Sequence, residues 1–238
     1  MLEVLYRDEY LIAVEKPAGM LVHRSDIDRR ETIFLVQTLR DQIGQKVFPV
    51  HRLDKPTSGV ILFALSSEIA RTLNLAFTQG EVSKRYLAVV RGTIDPRGEI
   101  DYPLKEKLDR IADRDADKNK PAQSAITAYR RISLGTLEVP TGRYPTSRYS
   151  LVECFPRTGR KHQLRRHMKH ISHQIIGDTT HGDGKHNQTF RKHLNCHRLL
   201  LAATQLTLQH PVTQDELVID GSLDETFKAV LIRFDWIV

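Results

Sequence analysis

Apolar and polar positions alternate in two different rhythms along this chain, and the rhythm switches often. Val4-Leu5-Tyr6 and Leu11-Ile12-Ala13-Val14 are short runs that read as strands, followed by a turn at Lys16-Pro17-Ala18-Gly19. Ile33, Val36, Leu39 and Ile43 then recur with helical spacing, and Gly44 ends that pattern. Val60–Leu65 is an unbroken apolar run, the mark of a strand covered on both sides. Ser66 is placed to cap a helix whose Ile69, Leu73, Ala76 and Phe77 fall at i, i+4, i+7 and i+8, and Gly80 is placed to stop it.

Strand patterns follow at Lys84–Val90, Ala125–Ile132, Ser150–Phe155, Leu199–Ala203, Leu206–Gln209 and Leu217–Ile219. A helix is expected over Thr158–Ile171 and a closing helix over Leu223–Phe234. Residues 108–124 are mostly polar and charged, and an exposed loop is expected there. Strands and helices mix without a steady βαβ rhythm. The expectation is therefore one α+β domain over 1–238, with helices flanking a mixed, largely antiparallel sheet.

Composition narrows the function classes. A formal net charge of +7 favours a polyanionic partner, and nucleic acid before membrane. Glu3, Asp8 and Glu9 stand where a secretory leader needs a basic start and an apolar stretch. No apolar run approaches the ~20 residues of a membrane span. Cys154 and Cys196 lie in apolar strand-like surroundings and read as buried free thiols. A cytoplasmic protein with no membrane partner is expected. No long apolar surface stripe is evident, so a monomer is expected.

Two segments carry candidate chemistry. His51-Arg52-Leu53-Asp54-Lys55-Pro56-Thr57-Ser58-Gly59 sets a carboxylate between two bases, at the mouth of the apolar run Val60–Leu65. A charge at such a place is costly to bury without a partner. The second segment lies between Glu153 and Asp178, where no acidic residue occurs. It carries Arg157, Arg160, Lys161, Arg165, Arg166, Lys169 and four histidines. Leu164, Met168 and Ile171 give it one inward face, leaving Arg160, Lys161, Arg166 and Lys169 for solvent or phosphate. Arg165 lies beside the apolar stripe, where its side chain can reach a cleft. A merely solvated basic face is the plainer reading, but the lack of any compensating carboxylate favours a phosphate-binding surface.

His162, His167, His170 and His173 invite a metal hypothesis. No HExxH is present, and no carboxylate or cysteine in the segment completes a shell, so no metal is expected. The chain also lacks a nucleophile elbow, a phosphate loop and a dinucleotide fingerprint, and Thr180-His181-Gly182-Asp183-Gly184 reads as a turn.

Taken in order, these blocks resemble the RluA-type pseudouridine synthases. His51-Arg52-Leu53-Asp54 with Ser58-Gly59 resembles the catalytic motif of that family. Lys16-Pro17-Ala18-Gly19 with Val22-His23 resembles its first motif, and Lys84, Tyr86, Ala88, Val90 and Gly92 its K-x-Y-x-A-x-V-x-G block. Thr158-Gly159-Arg160-Lys161-His162-Gln163-Leu164-Arg165 resembles its T-G-R-x-H-Q-[IL]-R block, with Ile176-Gly177-Asp178 downstream. The resemblance covers roughly residues 3–220. Lys161, Arg166 and His181, together with Tyr144-Pro145-Thr146-Ser147-Arg148-Tyr149, are similar to the choices made by members that modify uridine 65 of tRNA. Gln174 stands where a proline is usual, and Ala202 where a histidine is usual. The second departure bears on the pocket wall. No S4-like RNA-binding domain is expected ahead of the first motif.

The resemblance implies a pseudouridine synthase fold with a central active-site cleft, and an isomerase that converts uridine to pseudouridine in RNA without cofactor or metal. It implies tRNA, in its acceptor/T-stem region, as the substrate; ribosomal RNA and a non-enzymatic RNA chaperone on the same fold are the alternatives. Asp54 would attack the sugar C1′ or abstract the 2′ proton. Arg165 would balance its charge with a planar fork. Tyr86 would stack on the uracil, its hydroxyl a candidate base for the C5 proton, and Leu201 would line the opposite wall. Arg52 is the candidate wedge that fills the space left by a flipped uridine. Arg160, Lys161, Arg166 and Lys169 would hold phosphates.

Overall fold

A computed structural model describes residues 1–23, 32–106, 121–141 and 144–236. Among these are ten strands and five helices: β1 (Val4–Arg7), β2 (Leu11–Lys16), α1 (Leu35–Ile43), β3 (Phe48–Pro49), β4 (Ser58–Ala64), α2 (Ser67–Gln79), β5 (Ser83–Arg91), β6 (Arg97–Asp101), β7 (Ile126–Leu137), β8 (Ser147–Pro156), α3 (Gln163–His170), α4 (Gly184–Leu194), β9 (Leu201–Gln209), β10 (Glu216–Asp220) and α5 (Glu225–Arg233). All ten strands join one sheet in the order β1-β2-β4-β9-β5-β8-β7-β6, with β10 beside β9 and β3 beside β4. Every named strand pair is antiparallel except β4 with β9. This is the mixed, largely antiparallel α+β architecture expected from the pattern.

The parallel pair is the seam of the molecule. It consists of Ser58 against Ala202 and Gly59 against Ala203. Gly59 has φ +117°, and a Cβ there would lie 2.1 Å from the Ala203 carbonyl oxygen. Only glycine permits both the backbone angle and the approach. On the other side of β9, its register against β5 slips by one residue between Arg85–Gln205 and Tyr86–Ala203. The extra residue is Thr204, whose hydroxyl donates to the Arg85 carbonyl at 3.2 Å. A bulge of this kind re-aims the neighbouring side chain, here Tyr86.

Strand alternation sorts the core into two faces. On one face, α1 covers Ile12, Val14, Ile61 and Phe63, while α3 covers Ala88, Val90, Val152 and Leu201. On the other, α2 covers Leu11, Ala13, Val60 and Leu62, while α4 and α5 cover Leu87, Val89, Tyr149 and Leu151. Tyr86 packs against both clusters of the first face, at the boundary between its α1 and α3 sides. Ala202 belongs to the second face. Its departure from the family pattern therefore concerns packing under α4 and α5, on the face opposite Tyr86 and Leu201, where the sequence expectation had put it in the pocket wall.

Several elements differ from their predicted bounds. The helix expected from Thr158 begins only at Gln163, because residues 158–162 form a loop pinned by Gln163: its Oε1 accepts from Thr158 and the Arg160 amide, and its Nε2 donates to the Ile126 carbonyl and Thr127 Oγ1. The Thr180–Gly184 turn leads into α4, which the polar sequence concealed; Asp183 caps it by accepting from the Lys185 amide. The two strands expected near Leu199–Gln209 are one, β9. Helix α2 matches its prediction and α1 ends where predicted, with Gly44 and Gly80 in left-handed C-caps and Ser66 accepting from the Ile69 amide; Ile33, expected on the inward face of α1, precedes the helix and is 62% exposed. Most of the expected 108–124 loop lies outside the described residues; within its described end, Gln123 bridges to Leu104. Cys154 and Cys196 are buried and free.

Candidate active site

The loop between β3 and β4 carries Asp54 to the seam. His51 anchors its start. Its Nε2 accepts from the Leu62 amide at 2.9 Å, and its ring stacks on Phe77 with centroids 4.7 Å apart. Enclosure, with Lys84 adding to it, pushes the His51 pKa down to about 3, so the ring stays neutral and can serve as an acceptor. Leu53 is buried beneath the loop. Asp54 opens a tight turn in which the Thr57 amide donates to the Asp54 carbonyl at 3.0 Å.

The turn is held from behind by the Lys16–Gly19 segment. Lys16 Nζ donates to the Pro17 carbonyl at 2.8 Å and the Lys55 carbonyl at 3.1 Å, and the Gly19 amide donates to the same Lys55 oxygen at 2.8 Å. Lys16 is fully buried. Burial and the charge of Arg198 push its pKa down to about 7, against the pull of Asp54 and Glu15. Arg198 in turn donates to Ser58 Oγ and to the Leu201 carbonyl, tying the two strands of the seam together. A separate cavity of about 880 Å³ lies beside this clamp, lined among others by Glu15, Lys16, Ser58, Arg198 and Asp224. Asp54, Tyr86 and Arg165 do not line it.

Arg165 reaches Asp54, as the sequence predicted, but shares itself between two carboxylates. Its Nη1 donates to Asp54 Oδ2 at 3.2 Å. The bidentate fork goes to Asp178: Nε to Oδ2 at 2.7 Å and Nη2 to Oδ1 at 2.8 Å. The Arg165 and Asp178 side chains are 4% and 1% exposed, against 22% for Asp54. Asp178 is thus the interior partner and Asp54 the accessible one. Burial would raise the Asp178 carboxyl, but the Arg165 fork and the Thr180 and His181 amides outweigh it and hold the group below its ordinary range. Burial likewise opposes the Arg165 charge, and the two carboxylates more than offset that.

Tyr86 is half-buried and close enough to feel the Asp54 charge. Burial first, and then the Asp54 charge, push its phenol well up, so it is protonated at neutral pH. Leu201 is buried beneath it in the same cluster. Arg52 is exposed at the tip of the loop. Arg160, Lys161 and Lys169 are exposed; Arg160 Nε donates to the Ser124 carbonyl, and its guanidinium sits at the surface. Arg166 departs from the expected solvent face: it is half-buried beside Tyr102. The four histidines are dispersed among other tasks. His162 bonds His181, His167 bonds Thr127 and the Tyr102 carbonyl, His170 stacks on Tyr102, and His173 bonds the Arg91 carbonyl.

Sequence reasoning about the site passed over Asp178, Lys16 and Arg198 as functional groups, although Asp178 and Lys16 stand within the family-like motifs. The signal for Asp178 was the rule that a buried arginine needs a full set of acceptors. The fork expected on Asp54 goes to Asp178 instead, and Asp54 takes one bond.

The ionic triad of Asp54, Arg165 and Asp178, with the half-buried Tyr86 close enough to feel the Asp54 charge, is the candidate active site. The family described as RNA pseudouridylate synthase matches residues 10–170. The chain belongs to this family, whose members isomerise uridine in RNA to pseudouridine. It is 58% identical over 236 residues to the tRNA pseudouridine synthase C of Vibrio cholerae serotype O1, covering 99% of this chain and 97% of that protein. It is 54% identical over 236 residues to the protein of the same name from Haemophilus influenzae, covering 99% of each chain. Among solved structures it is similar to human RNA pseudouridylate synthase domain containing 4, with a TM-score of 0.71 and 27% identity over 98% of this chain and 93% of that one.

Proposed function

We propose that this chain isomerises a uridine of tRNA to pseudouridine, in the acceptor/T-stem region at position 65, with 1–238 acting as one catalytic domain, as a monomer, in the cytoplasm. Identity above half to full-length proteins named for tRNA supports the substrate class. The observation that carries the chemistry is the bridge from Asp54 through Arg165 to Asp178, which leaves a paired but accessible carboxylate at the seam.

In this reading the N1–C1′ bond breaks, the uracil turns, and C5 joins C1′. The C5 proton leaves and N1 takes one up, so the product is an isomer and no cofactor enters the balance. Asp54 attacks C1′ or removes the 2′ proton; in either role it acts as the anion, which Arg165 favours. The protonated Tyr86 stacks on the uracil, a role that suits it better than that of base. Arg52 occupies the space that a flipped uridine vacates. Arg160, Lys161 and Lys169 hold phosphates, with Arg166 at the inner edge of the same rim, and Leu201 supports Tyr86 from below.

Mapping pseudouridine in a strain lacking the gene tests the substrate. Loss at a single tRNA position, with ribosomal RNA untouched, is expected. Loss in ribosomal RNA alone would move the reading to that substrate. No loss in either RNA would favour an RNA chaperone.

A further inference from the structure

His162 has a conformation that its position in the chain does not require. It stands at the N-cap of α3 with φ 56° and ψ 28°, left-handed backbone that a β-carbon resists, and its side chain makes no capping bond. Instead the ring lies between His181 and Asp54. Nδ1 lies 3.0 Å from His181 Nε2, the two rings meeting edge to face at 76°. Nε2 lies 3.9 Å from Asp54 Oδ2, the same oxygen that Arg165 reaches. His181 is 3% exposed, and its amide donates to Asp178 Oδ1, the oxygen that takes the Arg165 fork. Both groups directed at Asp54 Oδ2 are therefore backed by one turn, Asp178–His181. Strain kept at such a point calls for a functional reason.

The charges around the ring decide its state. Burial disfavours the imidazolium, Arg165 and Lys161 add to this, and Asp54 and Asp178 oppose it; the pKa is held below the ordinary histidine value. A neutral ring facing a carboxylate through Nε2 is most stable with the proton there. Nδ1 then accepts from His181 Nε2–H.

We propose that His162, with its tautomer set by His181, is a positioning residue for Asp54: its Nε2–H, at 3.9 Å from Oδ2 too far for a hydrogen bond in the RNA-free chain, closes onto that oxygen when RNA binds and then holds it together with the Arg165 Nη1–H. This rests on the reading of Asp54 as the reacting group. The neutral ring adds direction without adding a second full charge, so the carboxylate keeps its reactivity.

The test joins a tautomer measurement to kinetics. Nitrogen-15 NMR of the histidine rings in the full-length protein is expected to show His162 protonated at Nε2 near neutral pH, with that signal moved in Asp54→Asn. His162→Gln, whose amide nitrogen can stand in for Nε2–H, is expected to keep kcat for tritium release from C5-labelled tRNA within about threefold of the parent. His162→Phe is expected to lose about tenfold or more in kcat with KM unchanged, as for loss of a bond to a charged group. Protonation at Nδ1, parent-like kcat in His162→Phe, or equal losses in the Gln and Phe variants would each overturn the proposal. If the parent releases no tritium from any RNA, the reading of Asp54 fails, while the tautomer measurement still decides the placement of His162.

Discussion

Replacing Arg165 by Met removes one cation from between two carboxylates, and the structure says which of them suffers. Asp178 is 1% exposed at its side chain and loses both bonds of the fork, while Asp54 at 22% exposure can take solvent instead. Stranding one member of a buried pair costs about 3–5 kcal/mol. Against a total stability of about 5–15 kcal/mol, the variant would be folded but fragile. The cost should depend on pH in a defined sense. In the parent, Asp178 is held below the ordinary carboxylate range, so its contribution is complete above that range and fades only as pH falls through its own lowered value. In Arg165→Met, burial acts on Asp178 without its main counterweight and raises it, so acidification lets it protonate and relieves the stranded charge.

Urea unfolding of parent and variant at about pH 8 and about pH 5 reads this directly: the difference is expected to be widest at the higher pH and to narrow at the lower. Tritium release should fall strongly at both pH values, while tRNA affinity falls only modestly, because Arg165 is 4% exposed and its bonds go to Asp54 and Asp178. A loss of stability below about 1 kcal/mol at the higher pH, or a difference that widens on acidification, would refute the bridge.

Gly59→Ala should fail to give soluble protein, or melt far below the parent in calorimetry, since its Cβ would sit 2.1 Å from a backbone oxygen with φ at +117°. Lys16, with its pKa pushed down to about 7 in the fold, releases its proton there while the unfolded chain still holds one. Parent stability should therefore rise with pH between about 7 and 10, and Lys16→Met should lose that rise in pH-dependent denaturation. Reversing the charge of Arg160 and Lys169 should weaken tRNA binding, measured by filter binding. The slope of log affinity against log salt should fall by about 0.7–0.9 for each phosphate no longer neutralised, while kcat at saturating tRNA stays near the parent value.

The parts of the fold legible in the sequence are those whose burial is one-sided and local. In α2, Leu73 is buried, with Ile69, Ala76 and Phe77 packed on the same cluster, and Ser66 and Gly80 mark its ends chemically. The β4 run is buried at every position, as its unbroken apolar character required. By contrast, α4 offers Phe190 as its one fully buried apolar side chain in a helix otherwise rich in polar and charged residues, so no stripe was there to read. The loop before α3 is kept out of the helix by the bonds of Gln163, by those of Thr158 and Arg160 to Ile126 and Ser124, and by the left-handed backbone of His162. The site divides the same way. Asp54 and Arg165 stood out as charges in apolar settings. Asp178 lies 13 residues beyond Arg165 with no periodic relation to it, and the tilt of His162 toward Asp54 depends on a left-handed backbone that no composition rule foretells. Ala202 is the converse case: its side of the sheet follows from strand register, which a motif alone does not carry.

Asp54, paired through Arg165 at the seam of the sheet, stands at the centre of the proposed uridine isomerisation on tRNA. Tritium release from C5-labelled tRNA by the purified chain, compared with Asp54→Asn, tests that role most directly. Release at one uridine per tRNA is expected from the parent and none from Asp54→Asn, with tRNA affinity of the variant close to the parent. Release by Asp54→Asn at the parent rate would contradict it.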